Sequence, residues 1–276
     1  MSEEGRARVA QVASLRPQWS TSILVFMARS LGRRGVLHVA TVAERPDLVE
    51  AAWEQTRDTI PEYNNHGDVL DTYWPRLTEE RPEYQFHLLG AGEQILARAR
   101  SIPLRWDGTV SDLPEGIDGA IQRGFDQGEA NTLCALLIAV PRAVQRQGVS
   151  ATALGAMADL ARRHGLASLI APVRPSAKER YPLTPIERYA TWRRPDGSLF
   201  DPWMRVHERA GASVLKAESQ SLRITASVSD WEGWTSLEFP ETGEYWFPGG
   251  LATLAIDQAE DRGRYFEPNV WMHHRL

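Results

Sequence analysis

Apolar and polar positions divide the chain into short, well-punctuated segments. Thr132 to Val140 is a nearly unbroken apolar run, too short to cross a membrane and of the length of a buried strand. After a polar turn, Gly148 opens a helix in which Leu154, Met157, Leu160 and Ala161 recur at helical spacing, and Gly165 closes it. Ala167 to Val173 predicts a second strand, which a right-handed crossover sets parallel to the first. Upstream, Val36 to Thr41 reads as a strand and Arg45 to Asp58 and Val69 to Glu80 as helices. Tyr84 to Leu89 and Gln94 to Arg100 read as a hairpin around Gly90-Ala91-Gly92-Glu93. A short helix is expected from Ile117 to Phe125. Downstream, Pro175 to Phe200 is broken by prolines and predicts a long ordered loop, whose Tyr181, Glu187, Arg188, Tyr189, Trp192 and Arg193 would either close over a substrate or pack the segment. Asp201-Pro202-Trp203 starts a helix that Gly211 stops, with Trp203, Val206, His207 and Ala210 on one face. Ser213 to Ala217 and Ser219 to Val228 are expected as strands that complete the unit.

This pattern implies three parts. Residues 1–35 lack periodicity and are expected to be a flexible or peripheral arm. Residues 36–228 hold the ordered elements. Residues 229–276, aromatic around Trp231, Trp234, Tyr245-Trp246-Phe247 and Trp271, are expected to pack on the same domain as a C-terminal extension.

Composition narrows the chemistry. Hydrophobic residues make up 42% and charged residues 24% of 276 positions, so the chain has material for a substantial core. A net charge of -5 gives no footprint for nucleic acid, and no apolar run is long enough to span a bilayer. No signal-peptide pattern is evident, which leads to the expectation of a cytoplasmic protein. Cys134 is the single cysteine, so no intrachain disulfide forms, and its place in a buried strand predicts an inert thiol. His273 and His274 are adjacent, which is not a metal-ligand spacing.

A strand, a polar glycine turn and a helix N-terminus together form an anion site, because the first N–H groups of a helix have no internal partner. The turn itself, Gln145-Arg146-Gln147-Gly148-Val149-Ser150, resembles the acyl-CoA pyrophosphate signature of the GNAT superfamily of acyl-CoA-dependent N-acyltransferases. That signature is Gln or Arg, two residues, Gly, one residue, then Gly or Ala. Ser150 departs from the last position, with a hydroxyl small enough to admit phosphate and able to donate to it.

The resemblance implies an α+β fold: a mixed, mostly antiparallel sheet with a central splayed parallel strand pair, flanked by helices. It implies acetyl-CoA or another acyl-CoA as co-substrate. The N–H groups of Gln147, Gly148, Val149 and Ser150, the side chains of Gln145 and Arg146, and Arg142 would meet its phosphates. Leu137, Ile138 and Val140 would line the pantetheine arm, and a backbone N–H in the middle of that strand would polarise the thioester carbonyl. Family members often place a Glu near the start of the central strand to take the proton of the amine; Glu129 is the nearest here. They often place a Tyr as general acid in a Tyr-Glu-Lys-x-Gly-type segment; Val206-His207-Glu208-Arg209-Ala210-Gly211 has His207 in that register.

The implied activity is direct transfer of an acetyl or similar short acyl group to an amine of a small molecule. Two other readings stand beside it. One is a module that binds acyl-CoA or a partner protein without transfer and uses its tail as a homodimer surface. The other is a protein N-acetyltransferase with an open acidic groove.

Overall fold

The computed structural model describes residues 37–276, so the arm expected at 1–35 lies outside the described residues. In chain order the elements are β1 (His38–Thr41), α1 (Val49–Thr56), α2 (Leu70–Glu80), β2 (Phe86–Leu89), β3 (Ile95–Leu104), α3 (Gly116–Asp126), β4 (Thr132–Ala139), α4 (Val149–Arg163), β5 (Ser168–Val173), a four-residue α5 (Ile186–Tyr189) and α6 (Pro202–Arg209). They continue with β6 (Ser213–Ala226), α7 (Val228–Thr235), β7 (Gly243–Tyr245), β8 (Leu254–Asp257) and β9 (Arg262–Arg275). The predicted elements up to α6 recur within a few residues of their expected bounds. The exception is β3, which continues through Pro103 to Leu104.

The strands form one nine-stranded sheet in the order β1-β2-β3-β4-β5-β9-β8-β7, with β6 paired to the second edge of β9. Among the described residues only β4 and β5 pair in parallel; the other pairings are antiparallel. Helix α4 packs one face of the sheet through Leu154, Met157 and Leu160 against Phe86, Ala99, Leu133 and Leu169. The opposite face carries the largest core cluster, in which Ile102, Leu104, Cys134, Ile170 and Trp271 meet residues of α2, α3 and α7. The alternation of strand side chains thus covers both faces with helices.

Two features shape the middle of the sheet. In β4, Leu136 is an extra residue between Ala135, opposite Ser101, and Leu137, opposite Arg100. Such a bulge bends its strand and raises the local twist. The parallel register with β5 runs only from Thr132 to Cys134 against Ser168 to Ile170. Past Cys134 the two strands part, leaving the backbone of Ala135 to Ala139 without a strand partner on that edge among the described residues.

The C-terminal half departs from the sequence expectation. Ser213 to Ala217 and Ser219 to Val228 are one bent strand, β6, and Ser227 is instead the N-cap of α7. The apparent break is a bulge: Glu218 lies opposite Asn269 and Leu222 opposite Glu267, so β6 carries two surplus residues there. The bulged backbone meets the start of α3, where Gly116 at φ +64° leaves room; a Cβ would sit 2.1 Å from Cα of Ser221. The strand that completes the sheet is β9, which pairs with β5, β6 and β8. The expected boundary at residue 228 therefore does not divide the sheet: residues 262–275 run through its centre. Trp231 and Trp271 are core residues, whereas Trp246 is exposed.

Candidate active site

The parting strands open a cleft of about 560 Å³, within the range of roughly 300–1,000 Å³ usual for small-molecule sites. One wall is β4, through Ala135 to Ile138, and the other is the end of β5 and Arg174. The cleft joins a second hollow of about 250 Å³ under the signature turn, with Thr59, Ile60, Ile138 and Ser150 bordering both. Leu137 and Ile138 line the main cleft as expected for a pantetheine channel, and Val140 lines only the second hollow.

The turn has the conformation an anion cradle requires. Gly148 is the N-cap of α4 at φ +79°, and no side chain caps the first turn of the helix. Nothing lies within 4 Å of a Cβ built on Gly148, so the space above it is open. Arg146 is also left-handed, at φ +62°, and is exposed. A charged ligand would therefore meet aligned N–H groups at the positive end of a 15-residue helix.

Two expected phosphate contacts are engaged elsewhere. Gln145 donates from Nε2 to the Val140 carbonyl at 3.0 Å, bracing the turn from within. Arg142 pairs with the Asp58 carboxylate at 2.8 Å and ties the turn to the end of α1. Gln147 is exposed and donates weakly to the Ala143 carbonyl, Val149 is buried in the packing beneath the turn, and Ser150 faces the ligand space.

His207 borders the cleft and is 2% exposed. Its position follows from Asp201, whose buried carboxylate caps α6 by accepting from the N–H groups of Trp203 and Met204. The same carboxylate accepts from the N–H groups of Ser176 and Ala177 and from the Tyr189 hydroxyl, at 2.8 to 3.2 Å. Asp201, with Glu208 and Arg205, ties the 175–200 segment to the helix.

Nδ1 of His207 lies 3.0 Å from Nε2 of His274, and its own Nε2 is buried with no hydrogen-bond partner among the described residues. Burial, with His274 adding to it, pushes His207 down to about 3. The ring is therefore neutral near pH 7, which removes the resting imidazolium that a simple general-acid role would use. Burial also lowers His274, against a hydrogen bond to the Ala210 carbonyl. With His274 donating to that carbonyl through its other nitrogen, its Nε2 accepts from His207. His207 then donates at Nδ1 and keeps a lone pair on Nε2.

Glu129 is not brought to the cleft. It is exposed in the loop before β4, at the end where β4 and β5 remain paired. The strand pair opens at its other end, so a carboxylate there cannot approach the splayed region. The aromatic cluster of the 175–200 segment does not roof the cleft either. Tyr189, Trp192 and Phe200 pack with Ile186, Leu199 and Met204 as a small core, and Ser176 alone of that segment lines the cleft.

The far wall comes instead from residues the sequence did not single out. One edge of β9 pairs with β5 up to Val270 and with β8 from Tyr265, which leaves 266–269 unpaired between them. Glu267 and Asn269 face the cleft from this gap, and Pro268 between them has no N–H to satisfy. Glu267 is buried and accepts from Arg174 Nε, from the Tyr265 hydroxyl and from Asn64 Nδ2 at 3.2 Å. Arg174 also donates to Tyr63 Oη at 3.0 Å and to the Gly249 carbonyl at 2.7 Å. Burial, then the Glu267 carboxylate, raises the Tyr63 and Tyr265 hydroxyls, so both stay protonated. The segment before α2 closes the site with Asn64, Asn65, Asp71 and Trp74.

Cys134 is buried, and burial raises its thiol far above the usual range, as an inert core residue requires. No helix among the described residues is long and apolar enough to cross a membrane.

Comparison with known proteins agrees with this geometry. No family model matches the chain. Arginine N-acetyltransferase avaD of Aspergillus versicolor is 28% identical over 271 residues, covering 86% of this chain and 93% of that protein. Among solved structures, the loading GNATL domain of CurA from Lyngbya majuscula superposes with a TM-score of 0.55 at 14% identity, covering 87% of this chain and 96% of that one. The GphF GNAT-like decarboxylase in complex with isobutyryl-CoA gives 0.53 at 15% identity, covering 87% and 98%. The splayed β4–β5 pair and the glycine cradle at the head of α4 thus stand on a GNAT-like fold, in a chain similar over most of its length to an N-acetyltransferase.

Proposed function

We propose that the protein transfers an acetyl or similar short acyl group from acyl-CoA directly to the amine of a small molecule, and that arginine is the first acceptor to test. The observation that carries the transfer is the continuous cleft. It runs from the uncapped head of α4, along the unpaired edge of β4, to a polar pocket on the other side of the sheet. Arginine is suggested by the similarity to an arginine N-acetyltransferase across most of both chains.

In this reading the signature turn holds the pyrophosphate, the edge of β4 binds the pantetheine arm, and a free N–H of that edge polarises the thioester carbonyl. The amine nitrogen attacks the carbonyl carbon; the C–N bond forms and the C–S bond breaks. The proton leaving nitrogen passes to Nε2 of His207, which then returns it to the departing thiolate, so the ring ends neutral. A proton held on a ring of such low basicity is a strong acid, suited to that second step. The α-amine is the expected nucleophile. Presenting a neutral alkyl amine at pH 7 costs roughly 4 kcal/mol, against roughly 7 kcal/mol or more for a guanidine. Glu267, already held by three donors, orders the pocket instead of taking the proton. A cytoplasmic location, where acyl-CoA is available, belongs to the same proposal.

Mass spectrometry of reactions with an amine panel and several acyl-CoA donors tests it. The expected result is N-acetylarginine with one CoA released per product, and a fall in kcat of about 100-fold in His207→Phe at unchanged acetyl-CoA affinity. Saturable acetyl-CoA binding with no acylated amine would instead support a binding module.

A further inference from the structure

Two charged residues that line the cleft have no counter-ion among the described residues. Arg98 is 3% exposed; its Nε donates to the Thr56 hydroxyl at 3.1 Å, and its guanidinium lies over the Trp53 ring at 4.9 Å. No carboxylate among the described residues pairs with it. Burial pushes it down to about 10, so it remains charged at neutral pH. Arg100, two residues along the same strand face, is buried as well and donates to the Ala99 carbonyl. His87, directly across the β2–β3 pair from Arg98, is buried with neither ring nitrogen bonded.

A buried cation without an anion is costly, and a protein that keeps one has a site awaiting negative charge. The second residue is Asp71, in the first turn of α2. It is exposed to the cleft, accepts from the Gly67 N–H at 3.1 Å and forms no ion pair among the described residues.

Arg98 lines the main cleft and not the hollow under the signature turn. Ala99 faces α4, whereas Arg98 faces the other side of the sheet and packs on Trp53 of α1. On β4 it stands opposite Ala139, and Arg100 opposite Leu137, beside the strand expected to present the thioester. The guanidinium therefore belongs to the acceptor half of the cleft.

We propose that Arg98 binds the carboxylate of the acceptor while Asp71 binds its side-chain cation, which makes the substrate a free basic α-amino acid. This rests on the transferase reading above. A fork of guanidinium donors matches a carboxylate in a way that no neutral lining residue can. Residues of an internal peptide bond, or simple polyamines, lack the group that Arg98 requires.

The test compares three acceptors with the intact protein: arginine, agmatine, which lacks the carboxylate, and citrulline, which lacks the cation. Wild-type kcat/KM is expected to be at least about 30-fold lower for agmatine than for arginine. Arg98→Gln should bring arginine down to the level of agmatine, leave agmatine unchanged and leave acetyl-CoA affinity by calorimetry unaltered. Asp71→Asn should narrow the gap between arginine and citrulline. Should Arg98→Gln fold poorly, Arg98→Lys is expected to restore part of the arginine preference, and the wild-type ratio stands without any variant. Equal use of arginine and agmatine by the wild type, or equal losses on both in Arg98→Gln, would overturn the assignment. A loss seen only with succinyl-CoA as donor would move the carboxylate from the acceptor to the acyl group and overturn it too. Calorimetric binding of arginine over agmatine to the CoA-loaded protein reads the same preference without turnover. Selective binding without an acylated product would therefore strike the transferase reading and spare the recognition site.

Discussion

The proposed donor and acceptor halves of the cleft are built in opposite ways. The donor half is contiguous: β4, the turn from Pro141 to Gly148 and the first turn of α4 supply it within about 20 residues of chain, and its working groups are backbone N–H and C=O. The acceptor half gathers side chains from five distant places: Asn64 to Trp74, Arg98, Arg174, His207 and Glu267 to Asn269. A backbone site tolerates many side chains provided that one glycine is kept, whereas a side-chain site depends on each residue and on the neighbours that hold it. The first suits an unvarying ligand such as CoA, and the second suits a specific acceptor.

Substitutions in the two halves should therefore fail differently. The largest effect is expected from Glu267→Ala, which leaves the half-buried Arg174 guanidinium and the buried Tyr265 hydroxyl without their carboxylate and costs about 3 kcal/mol of stability. Chemical denaturation would read this as a lower midpoint, with acetyl-CoA affinity retained at temperatures where the variant is folded. Glu267→Gln, which keeps the shape and part of the hydrogen bonding, should lose less.

Gly148→Trp should do the reverse. The left-handed backbone costs the variant only about 1–2 kcal/mol, since the space above Gly148 is open. The new ring fills the cradle and removes two or so charge-assisted hydrogen bonds to the pyrophosphate, so acetyl-CoA should bind about 100-fold more weakly in calorimetry. Equal weakening of acceptor and donor binding by either substitution would break the distinction between the halves.

Acid should expose the buried histidines of the acceptor side. Burial and His274 hold His207 near about 3, and burial with Arg100 and Arg98 holds His87 near about 4, against about 6.5 for an unfolded histidine. Between those values the unfolded chain binds protons that the native one refuses. The stabilising contribution is then complete above roughly pH 6.5 and is lost as pH falls toward 3 to 4. Thermal melts from pH 7 to pH 4 should show a falling Tm, with a shallower slope in His87→Leu. A Tm independent of pH over that range would contradict the burial of these rings.

The smallest effect is expected from Glu129→Gln. The side chain is exposed at the closed end of the strand pair, so kcat should change less than about twofold, within the usual span of surface substitutions.

This contrast also explains what could be read from the sequence. The donor half was legible because its parts are local: an apolar run, a glycine at a fixed offset and a helical period. The acceptor half was not, because Arg98 looks like part of the solvent face of an alternating strand until α1 is seen to cover it. Strand β9 was hidden for a related reason. Its Glu267, Pro268, Asn269, His273 and His274 break the apolar pattern of a central strand, although most of the segment is buried. The two surplus residues of β6 mimicked a turn and drew the apparent end of the domain to residue 228. His207 was singled out from its register alone, and no local pattern links it to His274, 67 residues away, against which its ring lies.

The most direct test of a two-sided cleft that transfers without an enzyme-bound intermediate is an initial-rate matrix in which acetyl-CoA and arginine are varied together. Direct transfer in a ternary complex requires double-reciprocal lines that intersect. Parallel lines, the signature of an acyl-enzyme formed before the amine binds, would contradict the account.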